Sequence, residues 1–260
     1  DMYNTAVGHG AGSAVTTGVQ NTLIGGLVGD ALTDGSNNVA LGINALSSDI
    51  RGSKATAIGS GALATQGFAS ATDTYNTAVG FNSGVSVTTG VQNTLIGALA
   101  GDALTDADNN VAIGYHSLNA DTLGSKSVAV GPYALYSQNF TSATNSFNTA
   151  VGADAGLLVT TGVNNTLIGG LAGDAITTGN SNAALGFGAL GSNTTASDNT
   201  ATGVNALTAN TTGGSNVAVG TYSLTANTTA ANNTAVGYGS LRANTTGTQN
   251  TAMGASALDA

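Results

Sequence analysis

The sequence predicts an all-β chain, a parallel β-solenoid of about fifteen 17-residue rungs. Three observations carry that expectation. A five-residue stretch, Asn4-Thr5-Ala6-Val7-Gly8, returns at residues 21, 38, 55, 76, 93, 110, 127, 148, 165, 182, 199, 216, 233 and 250. The spacing is 17 residues throughout, except from 55 to 76 and from 127 to 148, where it is 21. Apolar residues keep the same place in every copy, which argues against disorder in a chain with only 7% charged residues.

Within each rung the first residue is Asn, except for Ala55 and Ser127. The second is Thr or Val apart from Ala183, the third is Ala or Leu, the fourth is a large aliphatic apart from Thr202, and the fifth is always Gly. A short β-branched run closed by Gly reads as a strand ending in a turn. So much Gly, Thr and Asn at this period leaves no adequate helical run.

The second half of the rung has two forms. Either Gly is followed by an aliphatic three places on, as in Gly29 with Leu32 and Gly101 with Leu104, or Leu stands first and Asp or Asn follows, as in Leu46 with Asp49 and Leu207 with Asn210. Each rung thus contributes one large apolar group from this half, the exchange that a small close-packed interior needs. Most rungs close on Thr-Thr-Gly or a near variant, such as Thr16-Thr17-Gly18 and Thr211-Thr212-Gly213, with Gly expected to supply a positive φ at a tight corner. A 17-residue coil has room for two or three short strands.

Alternate strand residues face opposite sides. Thr/Val and Val/Ile fall on one side, Ala/Leu and Gly on the other, so both faces are expected to be covered. The expectation is that Val fills the coil's own interior and the Ala/Leu stripe meets identical chains in a trimer or dimer.

Two zones are expected: residues 1–147, with four extra residues in each of two long rungs (insertions 64–75 and 136–147), and a plainer shaft over 148–260. The irregular rungs carry Phe68, Tyr75, Tyr136, Phe140 and Phe147, with Tyr133 nearby. In a chain with 5% aromatics, their concentration there makes them the candidate contact for a glycan or receptor, against the alternative that they cap a bulge or clasp a neighbouring chain.

Composition excludes several function classes. Four basic residues against thirteen acidic ones give a net charge of −9, so no broad nucleic-acid footprint is expected. No apolar run is long enough to span a bilayer as a helix. The absence of Cys is compatible with an extracellular setting. The chain opens on Asp1 without a signal-peptide pattern, so it is expected to be a fragment or mature segment with any anchor or assembly domain outside it.

No catalytic, cofactor or metal site is expected. His9 and His116 read as corner or surface residues. Asp30, Asp102 and Asp174 recur in Gly-Asp-Ala-Leu/Ile-Thr rungs and read as solubilising groups, with metal binding as the sharper alternative. The recurrent Asn is expected to stack rung on rung through its amide. Asn-x-Thr triplets such as Asn193-Thr194-Thr195 match a glycosylation acceptor by composition alone. Adjacent Thr residues raise ice binding, although at most one per corner can face a given plane.

Asn233-Thr234-Ala235-Val236-Gly237-Tyr238-Gly239-Ser240-Leu241 resembles the head repeats of trimeric autotransporter adhesins of the YadA type, and Asn110-Val111-Ala112-Ile113-Gly114-Tyr115-His116-Ser117 is close to that form. The Thr-Thr-Gly-x-x-Asn-Thr-Ala-Val-Gly version is similar to repeats in bacteriophage and marine-virus tail fibres, which often end in an endosialidase-type self-cleaving chaperone domain. The likeness covers essentially the whole chain. It implies a left-handed β-roll in a homotrimer, used as a rigid adhesive stalk. The expected function is therefore the structural and adhesive shaft of an extracellular trimeric fibre, a phage or virus tail fibre for host attachment. The alternatives are a bacterial surface adhesin and, further off, a glycan-degrading tailspike or an ice-binding protein.

Overall fold

The computed structural model describes residues 2–259, and every regular element in them is a β-strand. The chain forms two compact units, one running to Ser127 together with Asn139–Asn145, the other comprising Val128–Gln138 and the chain from Ser146 on. In the first unit, strands Thr5–Val7, Thr22–Ile24, Val39–Leu41, Thr56–Ile58, Thr77–Val79, Thr94–Ile96 and Val111–Ile113 pair in parallel, each with its counterpart one rung on. In the second, Val128–Val130, Thr149–Val151, Thr166–Ile168, Ala183–Leu185, Thr200–Thr202, Val217–Val219, Thr234–Val236 and Thr251–Met253 do the same. The fold is thus a parallel β-solenoid of about fifteen turns, as the repeat predicts.

Each 17-residue rung carries a single three-residue strand, where two or three were expected. The rest of the rung is turns. Among the described residues, further two-residue pairs, Gly52–Ser53 with Thr72–Asp73 and Gly124–Ser125 with Thr144–Asn145, form only beside the extra residues of the long rungs. The reason lies in the backbone: four places per rung adopt positive φ, as at Gly25 (144°), Leu27 (51°), Gly29 (52°) and Asn37 (62°), and each breaks an extended run.

The strand faces are the reverse of the expectation. The central Ala or Leu points into the coil, with Leu23, Ala40, Ala57, Leu95, Ala150 and Leu167 all buried. The flanking Thr/Val and Val/Ile residues point outward, half-buried or exposed. The interior of a 17-residue coil is narrow, and it accepts Ala beside a Leu from the rung's second half, Leu beside Gly, or, at Ala78 with Gly84 and Ala150 with Gly156, Ala beside a Gly whose space the Leu residues of the neighbouring rungs fill. The predicted exchange therefore holds: Leu46, Leu63, Leu118, Leu135, Leu190 and Leu207 are buried in one form, Leu32, Val87, Leu104, Val159 and Ile176 in the other. Carrying Leu in the left-handed region, as at Leu46 (φ 54°) and Leu190 (φ 56°), costs about 1–2 kcal/mol. Full burial of the side chain, at about 1.5–3 kcal/mol, offsets it.

This complementarity crosses rungs. A Cβ built on Gly84 would lie 2.6 Å from Leu95 Cδ1, and one on Gly101 would lie 2.8 Å from Leu95 Cδ2. Leu95 thus occupies space that two glycines leave open. Leu95→Ala is expected to cost about 3 kcal/mol, and Gly101→Leu alone to destabilise by overpacking. In a Leu104→Asn background, needed because a Cβ on Gly101 also lies 2.8 Å from Leu104 Cδ1, the double variant rewrites the rung as its Ala-plus-Leu form and should recover part of the loss. A denaturant double-mutant cycle measures it, and strict additivity would refute the shared-space account.

The corner glycines of Thr-Thr-Gly are also corrected. Gly18, Gly90 and Gly213 do not take positive φ. A Cβ there would instead meet the carbonyl oxygen of the equivalent residue one rung on: 2.3 Å from Gly35 O for Gly18, 2.4 Å from Ala107 O for Gly90 and 2.1 Å from Ala230 O for Gly213. Close rung-to-rung approach, rather than backbone dihedral, restricts the position to Gly or, at Ala107, Ala196 and Ala230, to Ala.

The first-position Asn side chains are buried and stitch the rungs together. Asn165 Oδ1 accepts from the backbone N–H of Asn182 at 3.0 Å, and Asn165 Nδ2 donates to Gly179 O at 2.9 Å. The same pair of bonds recurs at Asn21, Asn38, Asn93, Asn182 and Asn216. The expected stacking is present, but its main partners are backbone groups. A second ladder lies in the corners, where the Oγ1 of Thr160, Thr177, Thr194 and Thr211 each donates to the Thr carbonyl one rung on, at 3.0–3.2 Å. These hydroxyls are engaged by the fold.

Candidate functional surfaces

Two surfaces depart from the repeat or lie outside its core. The first is built at the long rungs. Phe68 and Phe140, 6% exposed each, turn inward, which withdraws both from the expected surface contact. Gly124 makes room for Phe140: a Cβ on it would sit 2.7 Å from Phe140 Cδ2. In the first long rung, Gln66 Nε2 donates to Asp49 Oδ2 at 2.7 Å, and Gln66 Oε1 accepts from Asn76 Nδ2 at 2.8 Å. Gln66 thus joins the ladder where Ala55 has no amide to offer, as Gln138 does by accepting from Asn148 Nδ2 at 2.8 Å. Nothing in the residue types alone announced this, because Gln66 and Gln138 become partners of Asn76 and Asn148 only once the four extra residues loop out.

Tyr75 and Phe147, 51% and 53% exposed, remain outside, and Tyr136 is half-buried with its ring 5.7 Å from that of Tyr133. Lys54 Nζ pairs with Asp73 Oδ2 at 2.7 Å, approaches Tyr75 Oη at 3.2 Å and lies 5.1 Å from the Tyr75 ring centre. The Asp73 carboxylate, with the Tyr75 hydroxyl, holds the Lys54 ammonium above its usual pKa. The result is an aromatic side chain flanked by both charges, whereas the second long rung has Asn145 and Phe147 at the places of Asp73 and Tyr75.

Asp49 is buried, and burial pushes its carboxyl above the ordinary 3.8, although bonds from Gln66, Gly52 N–H (2.9 Å) and Phe68 N–H (3.4 Å) oppose the shift. The folded chain therefore holds this proton more tightly than the unfolded chain does. Stability is expected to fall as pH rises from about 3.8 through the higher folded pKa. Asp49→Asn, which places there the residue found at Asn193, Asn210 and Asn227, should remove that part of the slope. Thermal melts from pH 3.5 to 7 test it, and equal slopes for the two proteins would contradict it.

The recurrent aspartates do not converge. Asp30 and Asp102 are four rungs apart, on the order of 19 Å. Among the described residues no group of three or more His or acidic side chains could hold a metal ion. Burial raises the Asp102 and Asp174 carboxyls. Asp102 accepts from Asn119 Nδ2, which also lies 2.8 Å from His116 Nδ1.

The second surface is the outward face of the sheet. In the second unit the outward strand residues and the next exposed position run Thr149/Val151/Ala153, Ala183/Leu185/Phe187, Thr200/Thr202/Val204 and Thr234/Val236/Tyr238, and all eight rungs of that unit lack Asp, Glu, Lys and Arg at these places. Leu185, Phe187, Val204, Val219, Tyr238 and Met253 are exposed on it. Asp154, Asp174, Asp198 and Arg242 stand at other places of the rung. No helix among the described residues is long and apolar enough to cross a membrane. Comparison with protein-family models and with curated protein sequences finds no match.

Proposed function

We propose that the chain is the structural and adhesive shaft of an extracellular homotrimeric fibre, a phage or virus tail fibre serving host attachment. The uncharged outward sheet face carries this reading, because a charge-free stripe, aliphatic at its second outward position in every rung but that of Thr202, is the kind of surface that partner chains cover. The stitched rungs support it: buried Asn and corner Thr ladders tie each coil to the next and suit a load-bearing shaft. In this reading the protein catalyses nothing, and recognition falls to the exposed Tyr75 and Phe147 at the long rungs, which would meet a cell-surface glycan or receptor. The rung Asn110-Val111-Ala112-Ile113-Gly114 keeps a bacterial trimeric surface adhesin as the second reading.

Sedimentation equilibrium of the chain at micromolar concentration is expected to give a trimer, and a monomer would overturn the proposal. Binding to a panel of immobilised cell-surface glycans should fall at least tenfold (about 1.4 kcal/mol) in a Tyr75→Asn, Phe147→Asn variant. Asn is chosen because both positions have positive φ, at 52° and 50°.

A further inference from the structure

We infer that Asp49 and Asp121 are positioning residues for the two aromatic inserts: each is the buried acceptor that holds the insert of the next rung, and with it the exposed Tyr75 or Phe147, in one place. The inference rests on the reading that these aromatics are contacts for recognition, and it names what sets their position.

The first ground is where the carboxylates occur. At the same place of the other rungs stands an aliphatic residue or Asn, except in the long rungs, which carry Gln66 and Gln138 there. Asp is found at this place only in the rung directly before each long one. Asp49, Asp121, Gln66 and Gln138 are all buried.

The second ground is the set of partners. In the plain rungs an Asn at this place donates to the carbonyl three residues on, as Asn193 does to Ala196 O at 3.0 Å and Asn210 to Gly213 O at 2.8 Å. An ionised Asp has no proton to offer and can only accept. Asp49 Oδ1 takes the N–H of Gly52 at 2.9 Å and that of Phe68 at 3.4 Å, while Oδ2 takes Gln66 Nε2 at 2.7 Å. Asp121 Oδ1 likewise takes the N–H of Gly124 at 3.0 Å and that of Phe140 at 3.2 Å. A Cβ on Gly52 or Gly124 would collide with the carboxylate, which restricts both places to Gly.

The third ground is what these bonds fix. Gln66 and Phe68 lie where the first insert leaves the coil. Where it returns, Thr72–Asp73 pairs with Gly52–Ser53, and the Thr74 N–H donates to Ser53 O at 2.9 Å. Lys54, next in the chain, reaches Asp73 and Tyr75. One carboxylate thus anchors both ends of the insert. It also sets the direction of the amide relay, since Gln66 Oε1 is left to accept from Asn76 Nδ2. Asn76, directly after Tyr75, cannot turn about: its Nδ2 is held by Gly90 O at 2.7 Å and its Oδ1 by the Asn93 N–H at 2.9 Å.

Asp49→Asn leaves a single acceptor atom at this place. If that atom serves the two N–H groups, the new amide nitrogen meets Gln66 Nε2, donor against donor. Turned about, it leaves the buried N–H groups of Gly52 and Phe68 without partners. Adding Gln66→Glu resolves the first case, because both new oxygens accept, one from the amide at position 49 and one from Asn76 Nδ2.

Amide hydrogen exchange at neutral pH, followed residue by residue by NMR, tests the inference. In Asp49→Asn, exchange at Phe68, Thr72 and Thr74 is expected to quicken at least about tenfold, while Phe140 and Thr144 in the other insert keep their wild-type rates. The double variant Asp49→Asn, Gln66→Glu should restore most of the protection, which a general loss of stability would not allow. Binding to the immobilised glycan panel should fall in the single variant and return in the double one. Unchanged exchange at the first insert, equal quickening at both inserts, or no restoration in the double variant would overturn the inference and leave the recognition reading standing. The expected exchange pattern in a chain that binds no glycan would support the positioning role and overturn the recognition reading.

Discussion

Gly220→Ala is expected to destabilise the second unit by more than about 4 kcal/mol, the range reserved for changes the structure cannot absorb. Gly220 closes its strand at φ 132°, where L-residues are rare, and a Cβ there would lie 2.4 Å from Gly237 O and 2.6 Å from Gly237 C. Both obstacles are backbone atoms held in the next rung's own hydrogen bonds, so neither can move aside. The fifth position is Gly in every rung for this double reason. Gly26→Ala is the control: its φ is not positive and its Cβ would meet nothing within 4 Å. That substitution should be neutral or stabilise by about 0.5 kcal/mol through the unfolded chain. Denaturant midpoints of the two variants test the contrast, and similar midpoints would refute it. Because stacked repeats can open locally, hydrogen exchange at the rungs on either side of Gly220 should show the loss centred there.

Asn165→Ala is expected to cost about 3 kcal/mol. The truncation leaves two buried backbone groups without partners, the Asn182 N–H at 3.0 Å and the Gly179 carbonyl at 2.9 Å, at about 1–3 kcal/mol each. Asn182 Nδ2 also loses its 3.1 Å contact with Asn165 Oδ1. Ala occurs naturally at this position only as Ala55, whose own rung is a long one and supplies Gln66 to the neighbouring Asn76. No such substitute lies beside Asn165. Thr212→Ala, at an exposed corner, should change stability by less than about 0.5 kcal/mol. A midpoint for Asn165→Ala as close to wild type as that of Thr212→Ala would show that the ladder contributes little.

Much of the fold was legible because the period is written into the chain. Recurrence of Asn-Thr-Ala-Val-Gly located every principal strand, and exchange between Leu46 and Leu32 types identified the second inward slot. The buried Asn ladder was legible for the same reason. The long rungs were located but misassigned in part: Phe68 and Phe140 turn into the coil, while Tyr75 and Phe147 stay out. An aromatic residue in an irregular loop carries no sequence signal of which way the loop folds.

The sequence by itself determined the period, the place of each strand and the requirement for small or left-handed residues at the turns. Each of these depends on local stereochemistry or on identity between copies. Only the tertiary structure decided which side of Asn4-Thr5-Ala6-Val7-Gly8 faces inward. Alternation along a strand yields two sets of residues but not the sign, and here both sets were apolar or small. The sign is set by the direction in which the turns curl the coil and by the narrow space this leaves. That space admits Ala beside Leu46 or Leu23 beside Gly29, and leaves Thr and Val outside.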